Sequence, residues 1–151
     1  MHATIAPQWA SFLTRHRDAH GPVVKCAEAA VARGVPLDHE LKSMVLASDD
    51  LLVVAHTLAT RRLSLQKVEK MVGGPVKLAN SRRLGRLGLA AGRVNPFMEC
   101  VQAIPHLVSP AVMQRAFLTT NDGTFTGFVR FSPTLLLQLD QVVLEDIDEA
   151  Q

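Results

Sequence analysis

The chain has 151 residues, enough for one domain with a real core and too few for two comfortable ones. Apolar residues make up 48%, which excludes a disordered body, and no apolar run approaches the roughly 20 residues that span a bilayer. The net charge of +2 hides an asymmetry: from Asp140 onward there are five acids and no Lys or Arg, while Arg61–Arg93 holds nine basic residues against the single acid Glu69.

Met1–Gln8 lacks a basic start followed by an apolar run, so no secretory signal is expected there. A first helix is predicted over Gln8–Ala19, with Trp9, Phe12 and Leu13 inward, ended by His20-Gly21-Pro22. An alanine-rich helix follows over Cys26–Arg33 and stops at Gly34. Cys26 is read as a small apolar residue facing the helix–strand interior. Leu41–Ala47 and Leu51–Thr57 read as strands joined through Ser48-Asp49-Asp50. Ser64 is the N-cap of a helix through Val72, closed by Gly73-Gly74-Pro75. Asn80 or Ser81 caps a short helix over Arg82–Leu87. Strands are predicted at Glu99–Ile104, at Arg115–Thr120 and, after a tight turn at Asn121-Asp122-Gly123, at Phe125–Phe131. Ser132-Pro133 opens a helix through Leu139, Val142–Ile147 adds a strand, and the rest is a mobile tail. Helices and strands without regular alternation give an α+β class.

Lys42 stands out because it interrupts an apolar strand, where a cation needs a partner or a task. Such a lysine either holds an anion or a developing oxyanion in a pocket, or points into water from an edge strand. The loop Gly92-Arg93-Val94-Asn95-Pro96-Phe97 combines a flexible glycine, a stiff proline and the amide of Asn95, which offers contacts to a small polar ligand. As a plain connector it would use Phe97 as a core anchor. Asn121-Asp122-Gly123 is either a hairpin turn or a set of main-chain donors at a pocket mouth. The basic segment attracts phosphate or simply faces solvent. The six histidines have no metal-ligand spacing, so neither a metal nor another cofactor is expected. P-loop, GxSxG and GxGxxG motifs are absent. No spacing favours a Ser or Cys nucleophile. Two cysteines without a CxxC pair suit a cytoplasmic protein.

From His20 to Leu139 the motifs come in an order that resembles the YbaK/prolyl-tRNA-synthetase-associated domain family. His20-Gly21-Pro22-Val23 is similar to the family's His-x-Pro-Val opening before an Ala-rich helix. Lys42-Ser43-Met44-Val45 resembles its Lys-Thr/Ser-apolar-apolar strand. Arg61–Gly73 and Ala79–Gly88 resemble the next two helices, and Gly92–Phe97 resembles its Gly-x-Val-x-Pro-Phe loop. The resemblance implies a single α+β domain with a mixed, barrel-like sheet flanked by helices. It assigns residues 1–139 to a deacylase domain and leaves 140–151 as an acidic strand or tail. It implies hydrolysis of a mischarged aminoacyl-tRNA ester in trans, of the tRNA-Pro type bearing a small amino acid. Lys42 is then the catalytic residue, binding substrate and stabilising charge. Ser43, Gly92, Arg93, Val94, Asn95, Pro96, Phe97, Asn121, Asp122 and Gly123 would line the substrate site. Arg61, Arg62, Arg82, Arg83 and Arg86 would meet tRNA, with an aminoacyl-tRNA synthetase as a further partner and no membrane. Phe128 and Val129 are apolar where family members carry polar selector residues. The alternatives are a non-catalytic tRNA- or aminoacyl-binding module of the same fold and a hydrolase of other small acyl esters.

Overall fold

The structure is a computed structural model and describes residues 4–151. Met1, His2 and Ala3 lie outside them, so the expectation of no signal segment is described only from Thr4 onward, and His2 not at all.

The N-terminal helix expected over Gln8–Ala19 is instead a 3-10 turn, Pro7–Phe12, followed by strand β1, Thr14–His16. Only Trp9 of its predicted inner face is buried, and Phe12 is 56% exposed. Arg15 and His16 are drawn into a ladder with a distant strand, which outweighs local helix preference. Helix α1, Cys26–Arg33, ends as predicted on Gly34, whose φ of 69° is the left-handed conformation glycine tolerates. Strands β2, Leu41–Ala47, and β3, Leu52–Leu58, form the expected hairpin. β4, Arg61–Leu63, precedes α2, Leu65–Val72, whose N-cap Ser64 accepts from the Lys67 N–H. β5, Lys77–Leu78, and α3, Ser81–Arg86, follow, with Asn80 as the cap.

In the second half, Glu99–Val101 is a 3-10 turn rather than a strand, and the strand begins later as β6, His106–Val108. β7, Leu118–Asn121, and β8, Phe128–Phe131, pair antiparallel across Asp122–Gly127, a wider loop than a tight hairpin turn. Pro133–Gln138 is 3-10 rather than α-helical. β9, Val142–Leu144, is shorter than predicted. The expected mobile tail contains β10, Asp148–Ala150, paired with β4. Asp148 in it pairs with Arg61, and Asp146 just before it pairs with Lys67, so opposite charges help locate a strand where composition suggested disorder.

The central sheet runs β5-β2-β3-β6-β9, antiparallel on the β5-β2-β3 side and parallel on the β3-β6-β9 side. A three-stranded sheet β1-β8-β7 joins it through one bridge, Glu40 to Thr119, and β4-β10 forms a separate pair. The fold is therefore α+β with a mixed sheet, but hydrogen bonding does not close the described strands into a barrel. Phe97 is fully buried beneath the junction, 4.8 Å from Phe131 edge-on and 5.6 Å from Trp9. Each such pair contributes about 0.5–1.5 kcal/mol beyond its buried area. Among the described residues no helix is long and apolar enough to cross a membrane.

Candidate functional site

β2 carries Lys42 to the junction of the two larger sheets. The side chain is half-buried, and its Nζ donates to the Arg61 carbonyl at 3.4 Å. It neither points freely into water nor sits sealed in the core.

The Gly92–Phe97 loop and Asn121 arrive at the same junction and are stitched together. Asn95 Nδ2 donates to the Asn121 carbonyl at 3.0 Å, and Asn121 Nδ2 returns a bond to the Val94 carbonyl at 2.8 Å. Asn95 Oδ1 accepts from the Phe97 N–H at 2.8 Å. The amide expected to face a ligand is thus turned inward. Val94, Asn95, Pro96 and Phe97 are all buried, so their side chains serve the packing of the loop. A loop with an apolar end and a satisfied amide is more stable packed than presented to solvent. Gly92 and Arg93 remain at the surface side of the loop, where Arg93 lies 4.5 Å over the Phe125 ring. Gly92 has a φ of 77°, and an added Cβ there would stand 3.2 Å from Val24 Cγ1.

Asp122 is likewise internal. Its carboxylate accepts from the Thr124 N–H at 3.0 Å, the Thr124 hydroxyl at 2.6 Å and Arg15 Nε at 3.2 Å. Gly123 donates to Asn121 Oδ1 at 3.0 Å with a φ of 95°. These bonds build the loop, leaving its N–H groups fewer free donors than a pocket-mouth turn requires.

Between α1, β2, β7 and the Gly92 loop lies a cleft of about 30 Å³, walled by Val24, Cys26, Arg33, Glu40, Leu41, Gly92, Thr120 and Asn121. That volume admits a water or a group of methyl size. Glu40 forms the polar floor, bound to Arg33 Nη1 at 2.7 Å and to the Thr119 hydroxyl at 2.8 Å. Burial pushes its carboxyl up despite these partners. Burial also pushes the Cys26 thiol up, aided by the Glu40 charge and opposed by Lys42 and Arg33. A thiol so placed stays protonated and is no nucleophile at neutral pH. Lys42 is not among the cleft's walls; it follows Leu41, which is, and its side chain runs to the Arg61 carbonyl.

One polar chain was not legible in the sequence. Ser43 Oγ lies 2.8 Å from His56 Nδ1, His56 Nε2 lies 2.9 Å from His106 Nδ1, and His106 Nε2 lies 3.0 Å from the Val101 carbonyl. A carbonyl only accepts, so His106 carries its proton on Nε2. Neutral His106 then accepts at Nδ1, His56 donates from Nε2, and the Ser43 hydroxyl donates to His56 Nδ1. Burial and the neighbouring His106 hold His56 well below the ordinary histidine range. Burial lowers His106 too, against its bond to Val101. The spacing of 50 residues between the two histidines hides their meeting, which depends on the parallel pairing of β3 with β6.

The five arginines expected to meet tRNA do not form one equivalent set. Arg61 is paired with Asp148 at 2.8 Å, and Arg83 Nη1 holds the Ser48 carbonyl at 3.1 Å. Arg62, Arg82 and Arg86 are exposed. Phe128 is buried between rings, with His16 stacked at 4.5 Å and His20 at 6.1 Å.

A crystal structure of a protein proposed as a trans-editing enzyme for prolyl tRNA synthetase superposes with a TM-score of 0.79 at 25% identity, covering 91% of this chain and 87% of that one. A scaffold protein used for computational epitope backbone grafting shares the fold with a TM-score of 0.80 at 23% identity, over 92% of this chain and 88% of that one. No curated protein matches the chain significantly. The aminoacyl-tRNA editing domain family matches residues 20–139, most of the chain and all of the cleft. The chain therefore belongs to the aminoacyl-tRNA editing domain family.

Proposed function

We propose that this protein hydrolyses, in trans, the ester of a mischarged aminoacyl-tRNA of the tRNA-Pro type carrying a small amino acid. The observation that carries this is the half-buried Lys42, next along β2 to Leu41, which walls a cleft of about 30 Å³. The cation suits a terminal phosphate or the oxyanion formed when the ester is attacked. The cleft suits a side chain little larger than methyl, which is the error a synthetase pocket rejects poorly. Residues 1–139 would carry this activity, with the acidic segment after Leu139 holding β4 in place. The work would be done in the cytoplasm, where tRNA is charged, with a synthetase as a partner that releases the substrate.

The attacking group is water or a hydroxyl of the substrate itself. Lys42 contributes charge, and the Gly92 side of the cleft contributes position. Arg62, Arg82 and Arg86 supply exposed charge for the tRNA backbone.

A non-catalytic module of the same fold is favoured by one observation. Glu40, the carboxyl of the cleft, is tied to Arg33 and Thr119, so it is not free to act as a base. Deacylation of alanyl-, cysteinyl- and seryl-tRNAs bearing the proline anticodon separates the two. Cleavage of one of them by wild type, lost in Lys42→Ala with the fold retained, supports the deacylase. Silence across the panel with salt-sensitive tRNA binding supports the module. Undiminished cleavage by Lys42→Ala refutes the role given to Lys42.

A further inference from the structure

The open edge of β2 has a gap centred on Ser43. Val45 gives its carbonyl to the Ala79 N–H at 2.9 Å, and Leu41 gives its carbonyl to the Thr120 hydroxyl at 3.2 Å. On the partner strand, Val54 N–H bonds the Pro105 carbonyl at 2.9 Å and the His56 carbonyl accepts from Ser109 N–H at 3.0 Å. In an antiparallel ladder, successive residues turn their main-chain groups alternately toward and away from the partner. Leu41, Ser43 and Val45 therefore all face away from β3. The carbonyls of Leu41 and Val45 are capped, whereas the N–H and the carbonyl of Ser43 both have no hydrogen-bond partner among the described residues, so Ser43 offers a free donor and a free acceptor together.

The Ser43 hydroxyl cannot close this gap, because it is turned inward to His56 Nδ1 at 2.8 Å. The histidine chain behind it, anchored on the Val101 carbonyl, fixes that direction. A donor and an acceptor thus stand together on one partly exposed residue. They adjoin Lys42 and lie about 7 Å along the strand from Leu41, which lines the cleft.

A hydrogen-bonded antiparallel pair is satisfied by the N–H and the carbonyl of a single opposing residue. An aminoacyl ester is one such residue: an α-ammonium donor and a carbonyl acceptor on the same Cα. We propose that the main chain of Ser43 docks the aminoacyl head of the substrate, its carbonyl accepting from the α-ammonium and its N–H donating to the ester carbonyl oxygen. This rests on the deacylase function proposed above. When water adds to the carbonyl carbon, the oxygen held by the Ser43 N–H takes the negative charge. Collapse breaks the bond to the ribose oxygen, which leaves with a proton from the attacking water, and a free amino acid and an uncharged tRNA result. The side chain, pointing along the strand edge toward Leu41, would meet the cleft.

The test begins on the wild-type protein. A non-hydrolysable 3′-aminoacylamino-adenosine bearing alanine is titrated into ¹⁵N-labelled protein. The Ser43 amide is expected to shift with saturation, and the analogue lacking the α-amino group is expected to bind at least tenfold more weakly. Two variants then differ by one N–H: Ser43→Ala, and the same position filled by lactic acid through an ester in the main chain. The lactic acid variant is expected to lose about a hundredfold in kcat relative to Ser43→Ala. Equal kcat in the two variants, or a saturating titration that leaves the Ser43 amide unmoved, overturns the docking. If wild type cleaves no mischarged tRNA yet the Ser43 amide shifts, the docking stands and deacylation falls.

Discussion

Removing His106 tests whether the buried chain from Ser43 to Val101 has the polarity assigned to it. His106→Leu leaves His56 Nε2–H without a partner in a fully buried place, while the Val101 carbonyl keeps its bond from the Ile104 N–H at 3.2 Å. At about 2 kcal/mol for an orphaned buried group, the variant loses about 2 kcal/mol. His56→Leu orphans the buried Nδ1 of His106, while the half-buried Ser43 hydroxyl turns to solvent, so its loss is about 2 kcal/mol. In the double variant no buried group of the chain is orphaned, because the Val101 carbonyl still accepts from the Ile104 N–H, so the loss from this source is close to zero. Independent effects would sum to about 4 kcal/mol, so the cycle should show about 4 kcal/mol of coupling, against the 5–15 kcal/mol that holds such a domain folded. Urea unfolding at pH 7.5, with m-values compared, measures each corner. Single losses that add to the double within about 0.5 kcal/mol would refute the shared chain.

The same pair predicts a pH dependence. Both histidines are held below their ordinary value in the fold, so the unfolded chain binds more protons. Their contribution is full above the unfolded value near 6.5 and is lost as pH falls below it. Glu40, raised by burial, has the opposite sign, and it cancels when wild type is compared with the double leucine variant. Wild type should lose stability relative to the double leucine variant from pH 7.5 to pH 5, and a constant difference would contradict the neutral pair. Gly127→Ala should cost about 3 kcal/mol in urea unfolding, because its Cβ would lie 2.9 Å from the His16 carbonyl and inside contact with the Asp122 carboxylate. Gly85→Ala, in α3 with nothing within 4 Å, should instead stabilise by about 0.5–1 kcal/mol. Arg82→Glu with Arg86→Glu should weaken tRNA binding and flatten the plot of log affinity against log salt by about 1.4–1.8. An unchanged slope would place the tRNA elsewhere.

Much of the fold was legible where one local signal sufficed. The helices at Cys26–Arg33 and Leu65–Val72 and the hairpin of β2 with β3 carry their own periodicity, caps and turns. The strands that were missed, β1, β4, β5, β6 and β10, are three residues long or shorter. Such segments form only because a distant partner exists, as Arg61–Leu63 does for Asp148–Ala150. At the site, Lys42 was conspicuous because a charge interrupts an apolar strand. The inward bonds of Asn95 and Asp122 left no signal, because a polar side chain in a loop looks the same whether it serves a ligand or its own backbone. His56 and His106 carried no signal, since each lies alone in an apolar strand and acquires meaning only from the other.

The Arg61–Asp148 pair spans 87 residues of chain. The carbonyl that Lys42 donates to belongs to Arg61. On a ribosome adding about 5–20 residues per second, the strand that holds Lys42's partner therefore waits several seconds for the carboxylate that fastens it. Until then β2 and β3 can form their local hairpin, but the segment opposite Lys42 lacks its clasp. A nascent chain of this protein should thus acquire its hairpin early and the fastened strand beside Lys42 late, a delay that ribosome-stalled chains of graded length would resolve by protease protection of Arg61.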